Sequence, residues 1–354
     1  MDLKEYPLVS VVILNYQGLN LIEECIKRVL NSTYKNIEII FIDNNSNDGS
    51  FEKALNILKD KKNSFIIKNH ENIGFTKGFN QGLKMSHGDL ILLLNNDAFI
   101  FEDSIENYVK FFKENPDVGL AEGRIINLKD DIIIGVSTPD IINIFGILHE
   151  YVEIPSDDYL KRKTRIFSPV GVWPMIKKEV YNKVGGYDDD FFMFEEIRDL
   201  SYRVLLNGYK VGYVYDARTY HIGRTTRPKE NYGNQIKNLL IFHQTKNQLM
   251  FFYKNFSKIT IIKYIIPYTF LKIFDIIQSY FRLDKYTFKS KLAGYVWFIK
   301  NLNYIKNKRK IIQKNRIIDD KEILKYLIPF QINLIKKVYL IRKNYLNKIS
   351  YKGK

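Results

Sequence analysis

The sequence predicts an α/β fold, an open and mostly parallel sheet flanked by helices, followed by a helical and basic C-terminal extension. Three observations carry this reading. Short β-branched runs alternate with stretches of helical periodicity through the N-terminal third of the chain, polar clusters fall where those runs end, and the composition changes from about residue 230 onward. With 354 residues the chain can hold two domains, or one domain and a sizeable appendage.

Residues 9–14 (VSVVIL) and 37–42 (IEIIFI) have few polar interruptions, as strands covered on both faces do. Between them 19–31 (LNLIEECIKRVLN) places apolar residues at helical spacing, so the three segments form a βαβ unit with parallel strands and a right-handed crossover. The pattern continues with a helix around 50–60, a short strand near 64–68, a helix from about 76 to 86 and a strand at 89–94. Cys25, the single cysteine, excludes an internal disulfide, fits a small buried residue in a helix and makes a reducing compartment the expectation. The opening MDLKEYPLVS leads straight into the first strand with no apolar run behind a basic start, so no secretory signal is expected there.

In open α/β sheets ligands gather beyond the carboxyl ends of the strands. The polar clusters fall there: Asn15-Tyr16 after the first strand, DNNSNDGS (43–50) after the second, NHENIGFTKGFN (69–80) after the third and Asn95-Asn96-Asp97 after the fourth. Asp97, leaving a buried strand, can offer oxygen to a hard divalent ion such as Mg2+ or Mn2+, which would hold a diphosphate; the same three residues could also cap a helix or make a turn. Gly74 and Gly78 allow close backbone approach to phosphate or sugar. Asp43 could accept from a nucleobase N–H or cap the turn that follows it. The loops match neither G-x-x-x-x-G-K-[ST] nor G-x-G-x-x-G, so neither a nucleoside triphosphatase nor a dinucleotide fold is supported.

The formal net charge of +16 is unevenly spread: residues 301–354 hold 15 Lys and Arg against only Asp319, Asp320 and Glu322. Residues 251–283 are dense in Ile, Phe and Tyr, but Lys258, Lys263, Lys272 and Asp275 punctuate them and Pro267 is expected to break or kink a helix. An interfacial helix pair suits this segment, with a helix packed on the α/β domain as the other reading.

The stretches PLVSVVILNY, IEIIFIDNNSNDGS, NIGFTKGFNQGL, GDLILLLNND and GGYDDDFFMFEEIRDLSYRVLLNGYKVGYVYDARTYHIG resemble the family 2 glycosyltransferases of GT-A fold, specifically their rhamnosyltransferase-like branch, over roughly residues 7–250. The resemblance implies a GT-A nucleotide-diphospho-sugar transferase domain at 1–228, with residues 229–354 as the extension. It makes Asn95-Asn96-Asp97 the counterpart of the family's metal-binding D-x-D, with Asp97 the surviving ligand and His221 able to complete the metal or diphosphate site. Asp43 falls on the position that reads the base, and Gly74 and Asn80 on the loop that closes over the donor; Asn15, Asn45, Asn95 and Asn96 join the donor side. The family lines its acceptor side with 168–181, where Trp173 could stack on a sugar or be a core aromatic.

The resemblance further implies inversion at the anomeric carbon, with a carboxylate base acting on the acceptor hydroxyl. An ungapped match puts Ile197 at the base position, and an apolar residue takes no proton. Allowing one inserted residue gives Glu196 first and Glu195 second, and leaves Asp199 to pair with Arg203 one turn on. The expected donor is a UDP-, dTDP- or GDP-linked sugar, the acceptor a glycan or lipid-linked glycan, and the location the cytoplasmic face of an anionic membrane that the extension touches. Direct transfer to a polyprenyl phosphate is the alternative acceptor. A non-enzymatic nucleic-acid-binding protein would explain the basic tail but not the converging loops, so no nucleic acid partner is expected.

Overall fold

The computed structural model describes residues 5–129, 132–137, 157–162, 164–223, 234–281 and 285–327. Its first half alternates as the sequence predicts: β1 (Val9–Asn15), α1 (Ile22–Leu30), β2 (Ile37–Asp43), α2 (Ser50–Leu58), β3 (Ser64–Lys68), α3 (Phe75–Met85) and β4 (Leu90–Asn95). These four strands pair in parallel in the order β3-β2-β1-β4. There follow β5 (Ala98–Ile100), α4 (Ser104–Glu114), β6 (Val118–Lys129), β7 (Ile132–Ser137), α5 (Asp157–Arg162), β8 (Arg165–Ile166), β9 (Met175–Lys177), α6 (Lys178–Val184), α7 (Glu196–Leu206) and β10 (Lys210–His221). They extend the same sheet as a mixed half, in which β9 runs antiparallel between β4 and β6, β10 lies parallel to β6, and β5 lies antiparallel to β10. This mixed half is not evident in the strand periodicity, because β8 and β9 are only two and three residues long.

Strand alternation sends Val9, Val11 and Ile13 of β1 to one face and Val12 and Leu14 to the other. The first face packs on α1, α2 and α4 through Ile26, Ala54 and Tyr108. The second packs on α3 and α7 through Phe79, Leu83 and Leu200. Cys25 is buried in α1, as the periodicity expects, and burial raises its thiol pKa.

The extension consists of α8 (Asn234–Asn255), α9 (Lys258–Phe281), α10 (Lys285–Lys300), α11 (Leu302–Asn315) and α12 (Asp320–Leu324). It shares the second core: Met250, Phe256, Tyr268, Ile305 and Ile323 join the cluster that contains β1 and α7 residues. The boundary expected at 228/229 and the tail beyond 327 lie outside the described residues. Pro267 does not break the helix; α9 runs through it. Proline removes one backbone bond and costs about 3 kcal/mol, which the packing of the flanking turns offsets, with Tyr268 stacked on Phe252 at 4.2 Å between centroids. No helix among the described residues is long and apolar enough to cross a membrane.

Candidate active site

The strand register brings the polar ends of the parallel strands together, Asn15 opposite Asp43 and Leu14 opposite Asn95. Asn15 sits fully buried at the centre. Its Nδ2 donates to Asp43 Oδ1 at 2.7 Å and Ser50 Oγ at 2.8 Å, while its Oδ1 accepts from Asn96 Nδ2 at 2.8 Å. Asp43 Oδ2 accepts from the Ser46 N–H at 2.8 Å, so both carboxylate oxygens hold the β1 and β2 loops in place. Asn45 is exposed with φ of 63°, a left-handed conformation that asparagine tolerates. Asn44, which the sequence does not single out, donates to the Gly74 carbonyl at 3.0 Å and accepts from Asn69 at 2.9 Å, linking the second and third loops. Gly18 is another residue that pattern alone misses. A Cβ there would lie 2.3 Å from both Asn15 Oδ1 and Asn96 Nδ2. Gly18→Ala is therefore expected to split that amide pair and lower stability by about 1–3 kcal/mol, read by urea denaturation.

Asp97 and His221 meet although they are far apart in sequence, because β5 pairs with β10 and sets His221 opposite Ala98. His221 Nε2 lies 3.5 Å from Asp97 Oδ2. Two cis ligands of one octahedral ion stand about 3 Å apart when each bond is about 2.1 Å. At that separation Asp97 and His221 would be able to share one hard divalent ion. Among the described residues no third His, Cys, Asp or Glu joins them.

Gly74 caps α3 at φ of 88°, and a Cβ would lie 2.4 Å from the Phe192 ring. This close approach, with the Phe75 N–H donating to the Phe192 carbonyl at 2.8 Å, docks α3 on the segment that precedes α7. Asn80 does the same work: its Nδ2 donates to the Tyr187 carbonyl and to Asp189 Oδ1, and its Oδ1 accepts from the Tyr187 N–H. The amide expected on the donor side is thus engaged with the polypeptide of the base motif.

That motif is held in a costly conformation. Phe192, Phe194 and Glu195 have φ of 58°, 66° and 67°, and non-glycine residues persist there only where the surroundings over-determine them. The surroundings come from the extension. The Asn247 Nδ2 donates to the carbonyls of Phe191, Met193 and Phe194 at 2.7–2.8 Å. Buried Lys254 pairs with Asp188 and with Asp199 Oδ1, and Lys308 pairs with Asp188 and Asp190. Lys254 and Lys308 hold the Asp188 carboxyl well below the usual carboxylate range, and Lys254 and Arg203 depress that of Asp199. Asp199 also pairs with Arg203 at 2.9 Å, as its spacing predicts.

The two acids at the start of α7 differ. Glu195 is spent on a 2.6 Å ion pair with Arg198 and on Gln248 at 3.3 Å. Glu196 is half-buried as a residue, yet its Oε2 is enclosed and has no hydrogen-bond partner among the described residues. Burial first, with the neighbouring Glu195 charge adding to it, pushes its pKa up to about 7. Ile197 is buried against Gly171 and serves as packing.

Trp173 is corrected to a core residue. It is fully buried, edge-on to Tyr108 at 4.9 Å between centroids and in contact with Gly123, so no ring face is open to a sugar. Trp173→Ala is expected to cost about 3–5 kcal/mol through the cavity it leaves, measured by chemical denaturation. The loop that carries it is fixed by Glu122, an acid inside β6 that sequence reading passes over. Its carboxyl accepts from the backbone N–H groups of Val170, Gly171, Val172 and Trp173, while burial raises its pKa.

Residues 10–185 match the sequence model of glycosyl transferase family 2. The poly-beta-1,6-N-acetyl-D-glucosamine synthase of Staphylococcus aureus (strain MSSA476) is 26% identical over 219 residues, covering 60% of this chain and 49% of the relative. An uncharacterized glycosyltransferase of Rickettsia conorii is 37% identical over 107 residues, 30% of this chain and 17% of the relative. The chain spans about half the length or less of these curated relatives. Among solved structures, the mannosyltransferase PcManGT of Pyrobaculum calidifontis, in complex with GDP-Man and Mn2+, superposes with a TM-score of 0.53 at 15% identity, covering 84% of this chain and 77% of that one. GalNAc-T7 with UDP, GalNAc and Mn2+ gives 0.60 at 16% identity, with 85% and 57% covered. These likenesses show the GT-A fold, and the family match identifies residues 10–185 of the chain as a glycosyl transferase family 2 domain.

Proposed function

We propose that the protein transfers a sugar, with inversion, from a nucleoside-diphosphate donor to a hydroxyl of a glycan acceptor. The observation that carries the proposal is the enclosed Glu196 carboxyl, raised to about 7 with an oxygen unpartnered among the described residues, on a segment docked against the strand-end loops. A base must be free to accept a proton and have a pKa near working pH; Glu196 meets both conditions, whereas Glu195 is engaged with Arg198. Glu196 takes the proton of the acceptor hydroxyl as that oxygen attacks the anomeric carbon. The bond from that carbon to the diphosphate oxygen breaks on the opposite side, and the nucleoside diphosphate leaves with the electron pair. Asp97 and His221 would hold a Mg2+ or Mn2+ ion, which when bound neutralises charge on the leaving diphosphate. The Asn15, Asp43 and Asn96 network keeps the strand-end loops in register to receive the nucleotide.

Titration calorimetry with UDP-, dTDP- and GDP-sugars, in Mn2+ and in chelator, tests the donor half. One nucleotide is expected to bind in a metal-dependent way, with the affinity falling at least about tenfold in Asp97→Ala. Binding that ignores both chelation and the substitution would remove Asp97 from the site.

A further inference from the structure

Helix α9 carries a second apolar side that faces away from the protein body. Ile259, Ile262, Ile266, Phe270, Ile273 and Ile277 recur at three- and four-residue spacing along one side, and all are exposed, Ile259 at 80% and Ile266 at 78%. The side turned to the protein body carries Thr260, Lys272 and Ser279 together with the packed Ile261, Tyr264, Tyr268 and Leu271. A helix packed only on a water-soluble body shows water a polar side, so an exposed apolar stripe of this length calls for a second apolar phase outside.

Charge indicates which one. Lys258 and Lys263 are exposed at the N-terminal end of the stripe, and the one acid of the helix, Asp275, is paired with Lys291 at 2.8 Å. The whole chain carries +16, which repels a second copy and attracts an anionic surface. No described helix is long and apolar enough to span a bilayer, which leaves lying along its surface as the geometry open to α9.

We propose that the outward side of α9 seats the protein on an anionic lipid bilayer, its aliphatic and aromatic side chains entering the headgroup and acyl boundary. The inner side of the same helix reaches the base motif: Lys272 donates to Gln248, and Gln248 donates to Glu195 at 3.3 Å. If the transferase reading holds, the seated helix places the base motif close to the bilayer, where a lipid-linked acceptor lies; the docking itself does not rest on that reading.

The test is flotation of the full chain with vesicles of phosphatidylcholine alone and of phosphatidylcholine mixed equally with phosphatidylglycerol. Wild type is expected to float with the anionic vesicles, less so in high salt. The I266E/F270E pair is expected to weaken partitioning at least about tenfold, and K258E/K263E to reduce the preference for anionic over neutral lipid. Both pairs sit on exposed sites, and unchanged circular dichroism and donor calorimetry show that fold and donor site survive. Wild type that floats with neither vesicle, or I266E/F270E that floats as well as wild type, overturns the proposal. So does a wild-type dimer by sedimentation that I266E/F270E converts to monomer without any vesicle binding. Loss of donor binding in wild type would instead count against the transferase reading alone.

Discussion

Glu196→Gln is expected to lower kcat by roughly 10²- to 10⁴-fold, the usual contribution of a positioned general base, while donor affinity measured by calorimetry stays within about twofold. The wild-type pH profile gives the same assignment a second readout. Glu196 acts only when ionised, so kcat should rise with pH through about 7 and level off above it, and the amide variant should lose this limb. Stability runs the other way. Because the folded-state pKa is raised from 4.5 to about 7, the carboxyl favours the folded state below its unfolded value, and that contribution is lost as pH rises through about 7. At pH 8 the variant should therefore be no less stable than wild type, and more stable by up to about 3 kcal/mol, since each pKa unit is worth about 1.4 kcal/mol. A residue that matters for packing alone would lose stability on substitution and leave the pH limb in place. Glu195→Gln should behave in that second way, because its carboxylate is committed to Arg198.

Lys254→Met should destabilise the protein by about 3–5 kcal/mol, the cost of leaving buried charge short of its partner. Lys254 is 1% exposed and pairs with both Asp188 and Asp199, each of which retains one further cation, Lys308 or Arg203. The expected result is a lower urea midpoint with an unchanged slope, and a single transition, since α8 and α7 share one core. The pH dependence has the opposite sign to that of Glu196. The depressed Asp188 and Asp199 contribute stability above their unfolded value of 3.8, and it is lost as pH falls through their folded values. The variant should have a much weaker acid limb. Two separate transitions, with the first lost on substitution, would show instead that the extension folds apart from the sheet.

The second prediction rests on a part of the molecule that motif reading leaves outside the site. The sequence marks the extension by its charge and aromatic residues, and nothing local in Asn247 or Lys254 announces that α8 braces the segment with three left-handed residues before Glu196. Asn247 could have been found only by asking what satisfies the carbonyls of a loop so constrained. Glu122 is hidden for a similar reason: one acid in a β-strand gives no periodic signal, and its value comes from four N–H groups some fifty residues downstream.

What the sequence determines by itself is the parallel half of the sheet, since the period of apolar residues and the polar residues ending each run are local properties, and β1 to β4 pair as those runs predict. It also determines that Asn15, Asp43 and Asn95 end neighbouring strands, because parallel strands align their carboxyl ends. Only the tertiary structure distinguishes the two adjacent glutamates, pairing Glu195 with an arginine and enclosing a Glu196 oxygen that has no partner among the described residues. It alone sends Trp173 into the core and turns the aliphatic stripe of α9 outward. These outcomes depend on burial and pairing between segments distant in the chain, and free energies of that kind are not written into any short stretch of residues.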